Sequence, residues 1–216
     1  IVMMDFAFDL ISDLHVETWD SFDWEGQPTA PYCVVAGDIG HDRDRVLKTL
    51  EHLGNCYAGV FYIDGNDEHR QYLGDLGSSY KDLARRVEEV NSINNVVYMQ
   101  DNVVIINGVA LLATNGWWCY DFDPGLDREQ AQKWYQDYIN LSSTEATAIV
   151  GVAYHDASYL INSVGRLQTH PDVQEIVIIS HTLPAPWLIE HDLDLAGTWR
   201  YNSLGNQHLE LALDAD

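Results

Sequence analysis

Cys33-Val34-Val35-Ala36-Gly37-Asp38 is the stretch that decides the fold of this chain. Four small or β-branched apolar residues run into a glycine and then a carboxylate. A short run of this kind, stopped by turn residues, reads as a buried strand. A strand with no polar residue on either face belongs in a parallel sheet covered on both sides. Parallel sheets place their functional groups beyond the carboxyl ends of the strands, which puts Asp38 where chemistry is expected.

The same pattern recurs three times. Phe8-Asp9-Leu10-Ile11-Ser12 leads into Asp13-Leu14-His15, Val60-Phe61-Tyr62-Ile63 leads into Gly65-Asn66, and Ile176-Val177-Ile178-Ile179 leads into Ser180-His181. Two carboxylates, one amide and two imidazoles are therefore expected at one edge of one sheet. Such donors suit hard to borderline divalent cations such as manganese, iron, zinc or nickel. Asp13 and His15 lie two residues apart, and at an extended strand end that spacing aims both side chains the same way. Each residue taken singly has a plainer reading. Asp13, Gly37-Asp38 and Asn66 could simply form turns, and a histidine that ends a strand is usually just hydrogen-bonded. The ordered series carries the argument.

In that order the blocks resemble the calcineurin-like metallophosphoesterase family, whose pattern runs D-x-H, G-D, G-N-H-[DE], H and then G-H-x-H. The resemblance extends from about Asp9 to the end of the chain. It implies an α/β fold, a β-sandwich of two mixed sheets flanked by helices, forming a single domain over residues 1–216. It also implies a dinuclear centre in which Asp13 and His15 hold one metal, Asp38 bridges, and Asn66 and His181 hold the other. Two such ions roughly 3.5–4 Å apart can clamp a phosphoryl group and hold a nucleophilic hydroxide. The implied activity is hydrolysis of phosphate mono- or diesters of a small phosphorylated substrate, nucleotide derivatives among the candidates.

Two departures qualify the match. The family keeps a histidine after the G-N asparagine to protonate the leaving group, but here the block is Gly65-Asn66-Asp67-Glu68-His69. A carboxylic acid with an ordinary pKa near ~3.9 is a poor proton donor at neutral pH. His69, two residues on, and His41, just beyond Gly37-Asp38, are the candidates to replace it, against the plain reading of both as exposed loop residues. The closing G-H-x-H is also absent before Asp216. The expectation is that the chain lacks the C-terminal end of its domain. A catalytically impaired module kept for protein contacts is the rival reading.

Composition sets the remaining limits. The 216 residues are 46% hydrophobic, which is globular. Asp and Glu total 34 against 11 Lys and Arg, a net charge of −23, which argues against a broad nucleic-acid-binding surface. Neither a signal peptide nor an apolar run of the roughly 20 residues that span a bilayer is evident. Cys33, Cys56 and Cys119 are odd in number and widely spaced, so they read as free thiols of a cytoplasmic protein.

Between the blocks, strands and helices alternate. Helical spacing covers 43–53, with Gly54 as its stop, then 79–90, 127–140 and 144–168, the last with Ser142 and Glu145 as a capping box. Asn95–Met99 and Val103–Thr114 read as strands, the latter folded back at Asn107-Gly108, and a last helix is expected over Leu204–Ala212. Trp117-Trp118 follows a strand. The pair reads either as a substrate-stacking rim or as part of the core.

Overall fold

The computed structural model describes residues 6–20, 26–72, 85–123, 125–139, 143–189, 202 and 204–213. The chain divides into two compact units. The first comprises Ile1–Asn115 with Asp172–His181, and the second Gly116–Pro171 with Thr182–Asp216.

The first unit is built on two sheets. In one, β1 (Phe8–Ile11), β2 (Tyr32–Ala36), β3 (Gly59–Ile63) and β4 (Val96–Tyr98) lie side by side in that order, all parallel. In the other, β6 (Val109–Thr114) pairs antiparallel with β5 (Asn102–Ile106) and parallel with β7 (Glu175–Ser180). The expectation of two mixed sheets is thus corrected for the first sheet, since each of its connections crosses over and returns its strand in the same direction. Asn107 (φ 51°) and Gly108 (φ 87°) form the left-handed pair that a two-residue hairpin needs.

Strand periodicity separates two apolar layers. Cys33 and Val35 of β2, with Val60 and Tyr62 of β3, join a cluster that includes Val46, Leu50 and Leu53 of helix α1 (Arg43–Cys56). The alternate residues Val34, Ala36, Phe61 and Ile63 join Leu111 and Ala113 of β6 and Ile179 of β7. Burying a leucine such as Leu50 contributes about 1.5–3 kcal/mol, so both faces of the parallel sheet are stabilised. The register pairs Ile11 with Val35 and Ala36 with Ile63. The strands therefore end level, and the loops that follow them meet.

Helix α1 begins where the Asp42 side chain accepts the N–H of Arg45 at 3.1 Å. It runs past the expected stop at Gly54. That glycine is needed for packing, because a Cβ there would collide with the Asn94 carbonyl. Helix α2 is described over 85–91; the start of the helix expected over 79–90 lies outside the described residues.

The second unit holds α3 (Arg128–Ile139), α4 (Ser143–Leu167) and the short α5 (Glu210–Leu213). Ala146, Ile149, Ala153, Ala157, Leu160 and Val164 form the buried stripe of α4; its expected cap at Ser142 is outside the described residues. The helix expected from Leu204 starts later. Gly205 bridges to Leu183, Asn206 caps the N–H of His208 at 3.1 Å, and a 3-10 turn (Gln207–Leu209) leads into α5. No helix among the described residues is long and apolar enough to cross a membrane.

Candidate metal centre

The loops after β1, β2, β3 and β7 carry the candidate residues. The first two run side by side: Asp13 N–H donates to Gly37 O (3.2 Å), His15 N–H to Asp38 O (3.2 Å) and Val16 N–H to Ile39 O (2.9 Å). Asp13 (φ 56°), His15 (φ 46°) and Asp38 (φ 53°) are all left-handed. The extended strand end expected for Asp13 and His15 is therefore corrected: β1 stops at Ile11, and a left-handed loop aims the two side chains. Left-handed non-glycine residues are uncommon, and they cluster at functional sites. Gly37 (φ 86°) admits no side chain, because its Cβ would stand 2.7 Å from His181 Nδ1. A Cβ on Gly65 would collide with the Asp38 carboxylate.

His181 has a defined tautomer. Its Nδ1 lies 2.8 Å from Ala36 O, and a carbonyl only accepts, so Nδ1 carries a proton. In the neutral ring Nε2 then holds a lone pair. It faces Asn66 Oδ1 at 3.2 Å and Asp38 Oδ1 at 3.4 Å. Three lone-pair atoms converge, which calls for a proton or a cation between them. A backbone acceptor on the far nitrogen is also how metal-binding histidines are oriented.

Asp38, 4% exposed, is central. Its Oδ1 accepts the Asp67 N–H at 2.8 Å, and its Oδ2 lies 4.0 Å from His15 Nε2. Burial pushes its carboxyl upward, opposed by His181 and the Asp67 N–H and reinforced by the charges of Asp67 and Asp13. A buried carboxylate crowded by others is stabilised by a cation. Asp13, Asp38 and His181 bring ligand atoms within 4.8 Å of one another, and His15, Asp38 and Asp67 do the same. The donor chemistry fits divalent cations, and Asp38 belongs to both groups. The grouping differs from the one implied by resemblance: Asp13 stands with His181, and His15 with Asp67 at 3.0 Å.

The candidate proton donors separate. His41, 42% exposed at its side chain, lies 3.4 Å from Glu17 Oε1, and these two form a further group with Asp67 at the rim. His69 is corrected on the plain reading of an exposed loop residue. It is 7% exposed, and its Nε2 lies 3.3 Å from Asp64 Oδ2 in a buried network rather than in the loop mouth. Asp64 also accepts the hydroxyls of Tyr62 and Tyr98, each at 2.7 Å, and pairs with Arg86 at 3.0 Å. Burial opposes its ionisation, but Arg86, His69 and Tyr62 outweigh that and hold it well below the usual carboxylate range.

Sequence reasoning assigned no role to Glu68. Its buried carboxylate accepts the N–H groups of Asp38 (3.0 Å), Gly40 (3.2 Å) and Gly65 (2.6 Å), tying the β2 and β3 loops together. Only its place as the acidic residue closing the Gly65-Asn66 block pointed to it. Trp117 and Trp118 are corrected as a binding rim. Each is 3% exposed. Within the second unit the Asp156 carboxylate accepts the N–H groups of Gly116 and Trp117, and Trp118 packs edge-on against Tyr135 of α3 at 5.1 Å.

No protein-family profile matches the sequence, and no curated protein matches it. Among solved structures, the fold is similar to that of phosphopantetheinyl hydrolase from Mycobacterium tuberculosis. The TM-score is 0.55 at 18% identity, over 82% of this chain and 68% of that one. At that identity the likeness is one of fold.

Proposed function

We propose that this chain is a metal-dependent phosphoesterase of the calcineurin-like type, its two sheets facing each other as a sandwich. The observation that carries the reading is the sharing of Asp38 between the Asp13–His181 and His15–Asp67 groups. The fold likeness to phosphopantetheinyl hydrolase supports it by analogy.

Asp13, Asp38, Asn66 and His181 would hold one divalent cation, and His15, Asp38 and Asp67 the other. Bound there, a pair of cations supplies charge neutralisation for a phosphoryl group and activation of water. The protein contributes orientation. Ala36 O fixes the His181 ring, and Glu68 fixes the loops that carry Asp38 and Asn66. Asp67 places its carboxyl group beside His15. His41, held by Glu17, is the candidate donor to a leaving group. Substrates with good leaving groups, such as nucleotide-derived phosphodiesters or phosphoanhydrides, fit this arrangement best. A small substrate also suits a chain of net charge −23, which repels polyanions. The three free cysteines accord with a cytoplasmic setting.

The test is hydrolysis of bis(p-nitrophenyl) phosphate and p-nitrophenyl phosphate by metal-stripped and manganese-reloaded protein. Turnover that depends on manganese and falls at least about a hundredfold in Asp38→Asn supports the reading. The substitution of Asp67 for the usual histidine favours one alternative, a binding module on the same fold. No turnover of either ester at full metal loading would make that the better account.

A further inference from the structure

In the second unit, Cys119, Asp121 and His208 bring ligand atoms within 4.8 Å of one another. Cys119 Sγ lies 2.7 Å from Asp121 Oδ1, and His208 Nε2 lies 3.3 Å from Asp121 Oδ2. Cys119 and Asp121 lie two residues apart, whereas His208 comes from 87 residues beyond Asp121, and the fold invests in joining them. Tyr120, between the two loop ligands, is a fully buried aromatic residue at φ 61°. That conformation is a genuine outlier for a bulky side chain, and strained residues of this kind cluster at active sites and ligand clamps. The Asn202 amide holds it by donating to Tyr120 O at 2.9 Å. On the other side, Asn206 caps the turn that carries His208 and anchors it by donating to Ala153 O at 2.9 Å.

We infer that Cys119, Asp121 and His208 form a second metal site, suited to zinc and separate from the Asp38 centre. The donor set makes the distinction. Carboxylates, imidazoles and an amide surround Asp38, whereas this cluster adds a thiolate, the ligand that selects zinc-class ions over manganese or magnesium. Cys119 is fully buried at the floor, while the side chains of Asp121 and His208 are 21% and 30% exposed, so an ion enters from their side. On binding, the Cys119 proton leaves to solvent and the sulfur, carboxylate and imidazole each donate one pair. Three protein ligands leave the fourth position of a tetrahedral ion to water. The bound ion cross-links residues 119–121 to the turn at 207–209 and so stabilises this unit.

Cobalt(II) titration of the metal-stripped full chain tests the site, because sulfur-to-cobalt charge transfer in the near ultraviolet reports a thiolate ligand and the Asp38 centre offers none. The band is expected in wild type, in Cys56→Ser and in Asp38→Asn, and added zinc should bleach it. It should vanish in Cys119→Ser and in His208→Gln, each checked for retained fold by circular dichroism. Absence of the band in wild type, or its survival in Cys119→Ser, overturns the inference. The wild-type measurement decides the matter even if a variant fails to fold, and Asp38→Asn separates its outcome from that of the phosphoesterase reading.

Discussion

His181 donates its Nδ1–H to the carbonyl of Ala36 at 2.8 Å, across 145 residues of sequence. The bond joins the end of β7 to the end of β2 and so ties the two sheets of the first unit at the edge where the candidate ligands gather. It also decides which nitrogen of His181 is free to bind a cation. Structure and chemistry meet in this one contact.

Glu68 should behave as a structural clamp for the centre. Removing its carboxylate leaves three buried N–H groups without an acceptor, at a cost of about 1–3 kcal/mol each before relaxation. Glu68→Ala should therefore lower the urea midpoint markedly and weaken manganese binding, with Glu68→Gln intermediate. Unchanged stability in Glu68→Ala would show that the three bonds are replaceable by water.

Asp64 gives a pH signature with a definite sign. Its folded pKa lies below the ordinary value, so its contribution is fully present above the unfolded pKa near ~3.9 and is lost as pH falls through the folded one. Below pH 4 the slope is about 1.4 kcal/mol per pH unit for a single group. Urea unfolding from pH 6 down to pH 3 should show wild type losing stability faster than Asp64→Asn. Parallel curves would mean that Asp64 is not ionised in the folded state.

The thiols should separate by reactivity. Burial, and then the charge of Asp9, push the Cys33 thiol up to about 12, and burial also raises that of Cys119, whereas Cys56 is exposed. Ellman's reagent at pH 8 should modify one thiol quickly in the native protein and none quickly in Cys56→Ser. Equal, rapid labelling of all three cysteines would contradict the described core.

Asp67→His exchanges a carboxylate beside His15 for a proton donor. Metal affinity should fall. At saturating manganese, turnover of a poor-leaving-group ester should rise relative to that of a nitrophenyl ester. Equal effects on both esters would show that protonation at this position does not limit the rate.

The parts legible in the sequence were those fixed by local pattern. The apolar runs ahead of Asp13, Asp38, Asn66 and His181 became β1, β2, β3 and β7. The central strands β2 and β3 are buried on both faces, which leaves little choice of residue, whereas the edge strands β1 and β7 are half-exposed, with Leu10 of β1 open to solvent. Asn107-Gly108 announced its hairpin through the left-handed geometry that the turn demands. Other features depend on partners far away in sequence. Gly54 looked like a helix stop, yet it serves the close approach of Asn94. The left-handed turns at Asp13 and His15 follow from backbone bonds to the Gly37–Ile39 loop. His69 turned inward because Asp64 and Arg86 offered a buried charge network. Glu68 carried no signal of its backbone bonds, and the tryptophan pair could not be assigned to core or rim before α3 supplied Tyr135.

The central claim is that Asp38 links two metal sites. Electron paramagnetic resonance of protein loaded with two equivalents of manganese(II), with zinc first supplied to the thiolate cluster, tests it most directly. A shared carboxylate brings the ions close enough for exchange coupling, so wild type should show the multiline spectrum of a coupled pair and Asp38→Asn only isolated manganese. A wild-type spectrum of isolated ions at full loading would contradict the account.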